Sequence, residues 1–372
     1  MDKDGEQAAM TIYLDYQATT PLAPEAFDVM VPLLRDQFAN PHSAHRLGRA
    51  AAAQVELARE EIIRLLPEGG RLIFTSGATE ALNLAILGAP VGDIVTLATE
   101  HAAVLDTVSG LGAKGRRVTI LPVGSDGLID LDAAEAAIKP GVVLVAAMLV
   151  NNEIGVIQPI DKLADLAHRA GALFLCDAVQ GYGRVPIPDS CDMIAISAHK
   201  IHGPKGVGAL WLRDEVKLEP VMFGGGQEAG LRSGTLSPAL CAGFGVAARL
   251  MRERAEQDHA HVEALWRQAR QLFDTWILNG SVDARYHGNL NLRRAGIDGA
   301  RLLSECREVA FSLGSACASG SGRPSHVLHA IGLSEREARG SVRIGFGRYT
   351  TPAELESAAK IMNDAAAVQA AP

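Results

Sequence analysis

Short, almost wholly apolar runs recur between residues 70 and 215, with helical patterns separating them. The runs are Leu72–Phe74, Ile94–Leu97, Val118–Leu121, Val142–Met148, Ala172–Cys176, Met193–Ile196 and Ala209–Leu212. A run without polar alternation predicts a strand buried on both faces. Helices between such strands predict an α/β fold, its sheet mostly parallel and covered on both sides. The last two runs are joined by a loop rather than a helix, which predicts an antiparallel edge. Leu250–Leu278 reads as one long charged amphipathic helix that marks a change of domain. Short strands follow it at Asn289–Leu292, Val309–Leu313 and Ser341–Ile344, mixed with helices, a pattern that suits a smaller α+β domain. The alanine-rich end, Ala365–Pro372, is expected to fray.

Charge and hydropathy exclude several classes of function. The 35 basic and 43 acidic side chains leave a formal charge of −8, and no stretch interleaves basic with aromatic residues, so no nucleic-acid partner is expected. The longest apolar stretch, Gly141–Val150, falls well short of the roughly 20 residues of a membrane span. The start, Met1-Asp2-Lys3-Asp4, lacks the basic and apolar regions of an export signal. Five cysteines (Cys176, Cys191, Cys241, Cys306 and Cys317) are scattered with no CxxC pair, which predicts free thiols in a reducing cytoplasm.

Sheets of this kind bind ligands in the crevice beyond their strand C-termini, so the residues after each strand carry the functional argument. Thr75-Ser76-Gly77-Ala78-Thr79-Glu80 opens a helix. Its free N–H groups suit a phosphate, although an ordinary capped helix start has the same sequence. His101 follows the second run, where a histidine is more often structural than catalytic. Asn151-Asn152-Glu153 says little alone. Asp177 closes a buried strand and needs a partner: a cap or salt bridge ordinarily, a cationic heterocycle otherwise. Gln180 lies within reach of the same pocket. Lys200, in Ser197-Ala198-His199-Lys200, follows a buried strand and precedes a Gly- and Pro-rich turn, a setting that suits a Schiff-base lysine. A phosphate cradle, an acid for a ring nitrogen, a histidine to stack and a lysine are together what pyridoxal phosphate asks for. No metal site is expected. His199-x-x-His202 and His326-x-x-His329 lack a third ligand at a fixed offset, and HExxH is absent.

Cys317 stands in Ser312-Leu313-Gly314-Ser315-Ala316-Cys317-Ala318-Ser319-Gly320-Ser321-Gly322, where every side chain but Leu313 is small. Such a segment packs poorly, so a mobile loop and an available thiol are expected. The other four cysteines carry only a packing reading.

Several strings, in this order, resemble one family: Tyr13-Leu14-Asp15-Tyr16 with Ala18-Thr19-Thr20, Asn40-Pro41-His42-Ser43, Thr75 to Glu80, Asn151-Asn152-Glu153-Ile154-Gly155, Ser197 to Lys200, Arg232-Ser233-Gly234-Thr235, Gly314-Ser315-Ala316-Cys317 and Arg343-Ile344. From Tyr13 to Arg348 the chain resembles the cysteine desulfurases, group I of the NifS/IscS type, within the class V aminotransferases. The resemblance implies a fold type I pyridoxal-phosphate-dependent transferase that acts as a homodimer. It implies a large domain over residues 22–254 with a mostly parallel seven-stranded sheet. Residues 1–21 and 255–372 would form the small α+β domain, carrying the cysteine loop at about 312–324. Lys200 would hold the cofactor, Asp177 its ring nitrogen, His101 its face and Gln180 its ring oxygen. Ala78, Thr79, Ser197 and His199 would hold its phosphate, joined by Thr235 from the partner subunit. Asn152 would lie beside cofactor and substrate, and Arg343 would pair with the substrate carboxylate. The implied reaction takes sulfur from L-cysteine, leaving L-alanine and a persulfide on Cys317. The sulfur then passes to an iron–sulfur scaffold or another acceptor, for cluster assembly or thio-modification. No resident metal is implied; Cys317 would meet a cluster only in passing, on such a partner. Ala198 stands where the family often has glycine, and the alanine-rich tail lacks the ending that housekeeping members use near their scaffold.

Overall fold

The computed structural model describes residues 11–313 and 325–371. The strands are β1 (Ile12–Tyr13), β2 (Gly70–Thr75), β3 (Asp93–Leu97), β4 (Val118–Leu121), β5 (Val142–Met148), β6 (Leu173–Asp177), β7 (Met193–Ser197), β8 (Gly208–Arg213), β9 (Ile277–Leu278), β10 (Asn289–Arg293), β11 (Val309–Ala310) and β12 (Ser341–Gly345). Seven of them form one sheet in the order β2-β8-β7-β6-β5-β3-β4. All pairs are parallel except the two that β8 makes, with β2 and with β7. The expected antiparallel pairing of the last two runs is present, but not as an edge. β8 is inserted between β2 and β7, so the antiparallel edge strand is β2.

Alternate residues of each strand feed opposite layers, as the two-residue period of a strand requires. Phe74, Val95, Phe174 and Trp211 pack with Ile62 and Phe244 from the helices Arg46–Ile63 and Pro238–Glu253. Their neighbours Ile73, Ile94, Leu175 and Leu210 pack on the other face with Leu82 and Val104, from the helices Ala78–Gly88 and Ala102–Gly112.

A second core surrounds a three-stranded antiparallel sheet in the order β12-β10-β9. Leu14, Trp266, Phe273, Leu290, Leu292, Ile344 and Met362 fill it. Three expectations need correction here. The predicted single helix over Leu250–Leu278 is two, Pro238–Glu253 and Ala255–Leu272, broken at Arg254 (φ −110°, ψ 10°), and Ile277–Leu278 is a strand. The strand expected over Val309–Leu313 stops at Ala310, with one further bridge from Ser312 to Arg343. The tail does not fray early. The helix Pro352–Ala370 runs almost to the end, because alanine favours helix and Leu355, Met362 and Ala366 are buried along one side.

Candidate active site

A cavity of about 580 Å³ opens beyond the C-terminal ends of β3, β5, β6 and β7. Ala78, Thr79, His101, Asn152, Asp177, Gln180, Ser197, His199, Lys200 and Arg343 all line it. Residues that the sequence scatters over 266 positions thus share one wall, because parallel strands put all their C-termini on one side. Thr235 is exposed and lies outside this wall. Cys317 lies outside the described residues.

Each group is held by identifiable bonds. Asp177 ends β6, is 6% exposed, and its Oδ1 accepts from the Val179 N–H at 3.0 Å. Burial raises its pKa, against the pull of His101, the Val179 N–H and Lys200. Lys200 closes the short 3-10 turn Ala198–Lys200 after β7. Its Nζ donates to the Gln17 carbonyl and, at 2.9 Å, to that of Ala18. His101 is the N-cap of the helix Ala102–Gly112; its Nδ1 accepts from the Ala103 N–H at 3.0 Å. In the neutral ring the proton therefore sits on Nε2. His199 Nδ1 lies 3.1 Å from the Thr19 hydroxyl, and burial beside Lys200 and Lys205 pushes its pKa down to about 4. Arg343, in β12, is 1% exposed. It donates to the Asn152 carbonyl at 2.9 Å and to Asp15 Oδ1 at 2.8 Å.

One end of the cavity is a helix start with an open approach. Among the described residues, Gly77 caps the helix Ala78–Gly88 without any side-chain bond, and a methyl group built on it would meet nothing within 4 Å. Helix N–H groups at such an end lack partners and attract anions. Glu80 reaches back to the Ser76 N–H at 2.7 Å and pairs with Arg232 at 2.6 Å; against the upward push of burial, these partners hold its pKa below the usual carboxylate value.

Sequence reasoning missed four contributors. Gln17 lines the cavity and offers its carbonyl to Lys200 and Gln180. Glu153, 2% exposed, accepts from the Ser325 hydroxyl, and burial raises its pKa. His326, weighed only as a metal ligand, lines the cavity and donates from Nε2 to the Glu100 carbonyl at 2.9 Å. Glu100 itself is wholly buried, and burial raises its pKa strongly. Glu153 stood inside the string Asn151–Gly155; the other three had no local signal. Among the described residues no group of three or more His, Cys, Asp or Glu side chains is arranged to hold a metal ion.

The aminotransferase class-V model matches residues 12–357. The cysteine desulfurase IscS of Rickettsia bellii is 43% identical over 370 residues, which cover 95% of this chain and 90% of that one. The mitochondrial cysteine desulfurase of Candida albicans is 43% identical over 371 residues, 95% of this chain and 76% of its own. Among solved structures, a NifS-like protein from Rickettsia africae superposes with a TM-score of 0.87 at 28% identity, covering 95% of this chain and 99% of its own. SspA in complex with cysteine gives a TM-score of 0.80 at 36% identity, covering 91% and 99%. The chain belongs to the aminotransferase class-V family and, within it, to the cysteine desulfurases.

Proposed function

We propose that this cavity binds pyridoxal phosphate and removes sulfur from L-cysteine, placing it on Cys317. The observation that carries the reading is one cavity holding a buried acid, Asp177, an amine, Lys200, and an uncapped helix start at Gly77. The donor set fits the cofactor. Lys200 Nζ suits its aldehyde carbon, and the Asp177 carboxyl suits the proton of a ring nitrogen. Gln180 suits a ring oxygen, His101 a ring face, and Ala78, Thr79, Ser197 and His199 the phosphate. When bound, the ring supplies an electron sink that weakens the link between the β-carbon and sulfur of cysteine.

The chain's own groups do the rest. Arg343 presents a fixed guanidinium to the substrate carboxylate, its orientation set by Asp15 and the Asn152 carbonyl. Lys200 Nζ takes and returns the α-proton. His101, its proton on Nε2, exchanges a proton at the leaving sulfur. The Cys317 thiolate then takes that sulfur. One thiol and one cysteine become one persulfide and one alanine, so hydrogen and electrons balance. The segment carrying Cys317 is anchored beside the cavity at both flanks. Ser312 bonds to Asp15 at 2.8 Å and pairs with Arg343, and Ser325 bonds to Glu153. Support for the substrate comes from the structural relative, SspA, which is described in complex with cysteine.

The active form in this reading is a homodimer in the cytoplasm, with Thr235 completing the partner's phosphate site. The sulfur acceptor is an iron–sulfur scaffold or a thio-modification protein. Among the described residues no helix is long and apolar enough to cross a membrane. The test is incubation with L-cysteine and a reductant, measuring alanine and sulfide together. The wild-type chain should form them one to one, and Cys317→Ala should form neither while keeping the visible absorbance of bound pyridoxal phosphate. Undiminished alanine from the variant, or pyruvate and ammonia from the wild type, would sink the reading.

A further inference from the structure

Behind the wall that carries Lys200 lies a second, smaller cavity of about 160 Å³, and Arg184 stands between the two. Its guanidinium lies over the Tyr286 ring, 5.4 Å from the centroid. From there Nη2 donates to the Lys200 carbonyl, and Nη1 lies 3.3 Å from both the carbonyl and the Oε1 of Gln180. Arg184 does not line the larger cavity, so it touches neither cofactor nor substrate.

Two consequences follow from donor–acceptor chemistry. The first concerns the turn that carries the lysine. The Ala198 carbonyl accepts from the backbone N–H groups of Ile201 and Gly203, at 3.0 and 2.9 Å. The His199 carbonyl accepts from the Thr20 N–H and hydroxyl, both at 2.9 Å. The Lys200 carbonyl is met instead by a side chain, that of Arg184. The second concerns Gln180. A guanidinium has only donors, and a backbone carbonyl only accepts. Placed between Arg184 and the Gln17 carbonyl, the Gln180 amide has one satisfied orientation. Its oxygen faces Arg184 and its NH₂ faces Gln17 at 2.9 Å, in a side chain that lines the cavity. Gln180 can then offer the cavity a donor and not an acceptor.

We propose that Arg184 is a positioning residue that pins the backbone of Lys200 and, at the same time, fixes Gln180 as a hydrogen-bond donor toward the cofactor. This rests on the functional reading above. A donor aimed at the ring oxygen stabilises the more negative state of the bound cofactor. Losing that donor raises the pH at which the cofactor gives up its proton.

The experiment titrates the visible absorbance of the full chain loaded with pyridoxal phosphate, and measures kcat and KM for L-cysteine. Arg184→Met keeps an apolar stem against Tyr286 and removes every donor. Its titration midpoint should rise by about one pH unit, and kcat should fall about tenfold with KM changed less than about twofold. Arg184→Lys keeps a donor-only head group and should hold the wild-type midpoint. In a Gln180→Ala background, Arg184→Met should move the midpoint no further, because it acts through that amide. If Arg184→Met does not fold, Arg184→Gln should give the same upward shift, since its own carbonyl lets Gln180 turn over. An active wild type whose Arg184→Met variant matches it in midpoint and kcat overturns the assignment; so does a variant that loses only thermal stability, or a shift that adds to that of Gln180→Ala. A wild type with neither cofactor band nor alanine release overturns the functional reading and takes this assignment with it.

Discussion

Glu100 is a carboxyl where water cannot reach it. Its Oε1 accepts from the Met148 N–H at 2.8 Å, its Oε2 has no hydrogen-bond partner among the described residues, and it feels the charge of Asp177. Desolvation raises its folded pKa well above that of the unfolded chain, where a glutamate titrates near about 4.3. As pH rises past that value, the unfolded chain releases the proton first and binds fewer protons than the folded one. Stability contributed by this group is therefore present in acid and lost as pH rises. Gln at position 100 keeps a carbonyl for Met148 and has nothing to ionise. Glu100→Gln should accordingly be about as stable as the wild type near pH 4.5 and more stable at pH 7.5, by about 1 kcal/mol or more, measured by urea unfolding. An equal difference at both pH values would show that Glu100 does not titrate between the two states. His202 acts with the opposite sign. Burial and nearby arginines push it down to about 3, so its contribution is present above about pH 6.5 and lost as pH falls.

At the scale of elements, the placing of β8 decides the shape of the helix start at Gly77. Gly208 begins β8, paired with Thr75 on one side and Ser197 on the other. A Cβ there would stand 2.7 Å from both Gly77 Cα and the Ile196 carbonyl oxygen. Gly208→Ala must therefore push the Gly77 turn, an overpacking that costs about 1–3 kcal/mol. Gly77→Ala meets open space at an extended φ of 161°. It should leave the thermal midpoint unchanged while its methyl group crowds the helix N–H groups. Both variants should bind pyridoxal phosphate about tenfold more weakly, read by absorbance titration of the cofactor-free chain. Wild-type affinity in Gly77→Ala would remove this turn from the phosphate site. The strands themselves were legible as apolar runs, and so were Asp177 and Lys200, polar residues at the ends of buried strands. The position of β8 was not legible, because a strand buried on both faces carries no mark of which neighbours it takes. The helix break at Arg254 was hidden too, since Arg252-Glu253-Arg254-Ala255-Glu256 contains no glycine or proline. Gln17, in a turn, and His326, at the start of the helix His326–Ala330, are remote in the chain, and only folding brings them to the cavity.

For the molecule as a whole, the cavity needs both cores. Asp177 and Lys200 come from the large sheet, and Arg343 comes from β12 of the small one. The Arg343–Asp15 pair, 2.8 Å long, joins the two ends of the chain at that wall. Thr235, the remaining phosphate ligand implied by the resemblance, sits apart from this wall, in an exposed loop. Apolar side chains also stand in solvent on this chain: Phe27 and Leu34 on the helix Pro24–Arg35, Leu47 and Leu57 on the helix Arg46–Ile63, and Phe38 and Phe223, each about four-fifths exposed. Large apolar side chains left in water favour association, and in the homodimer proposed above each Thr235 would serve its partner's cavity. Such a dimer has a consequence that no single-chain reading shares. In a mixed dimer of a Lys200→Ala chain with a Thr235→Ala chain, the first chain's site has lost both groups. The second chain's site keeps its own Lys200 and receives an intact Thr235. Equal mixing, with subunits exchanged at random, should restore intact sites at about a quarter of the wild-type number. Alanine formation at limiting pyridoxal phosphate should recover accordingly, although Lys200→Ala alone is inert and Thr235→Ala alone is weak. If mixing restores nothing while sedimentation confirms mixed dimers, Thr235 serves its own chain. If the wild type sediments at the chain mass of 39.2 kDa, the dimer itself is excluded.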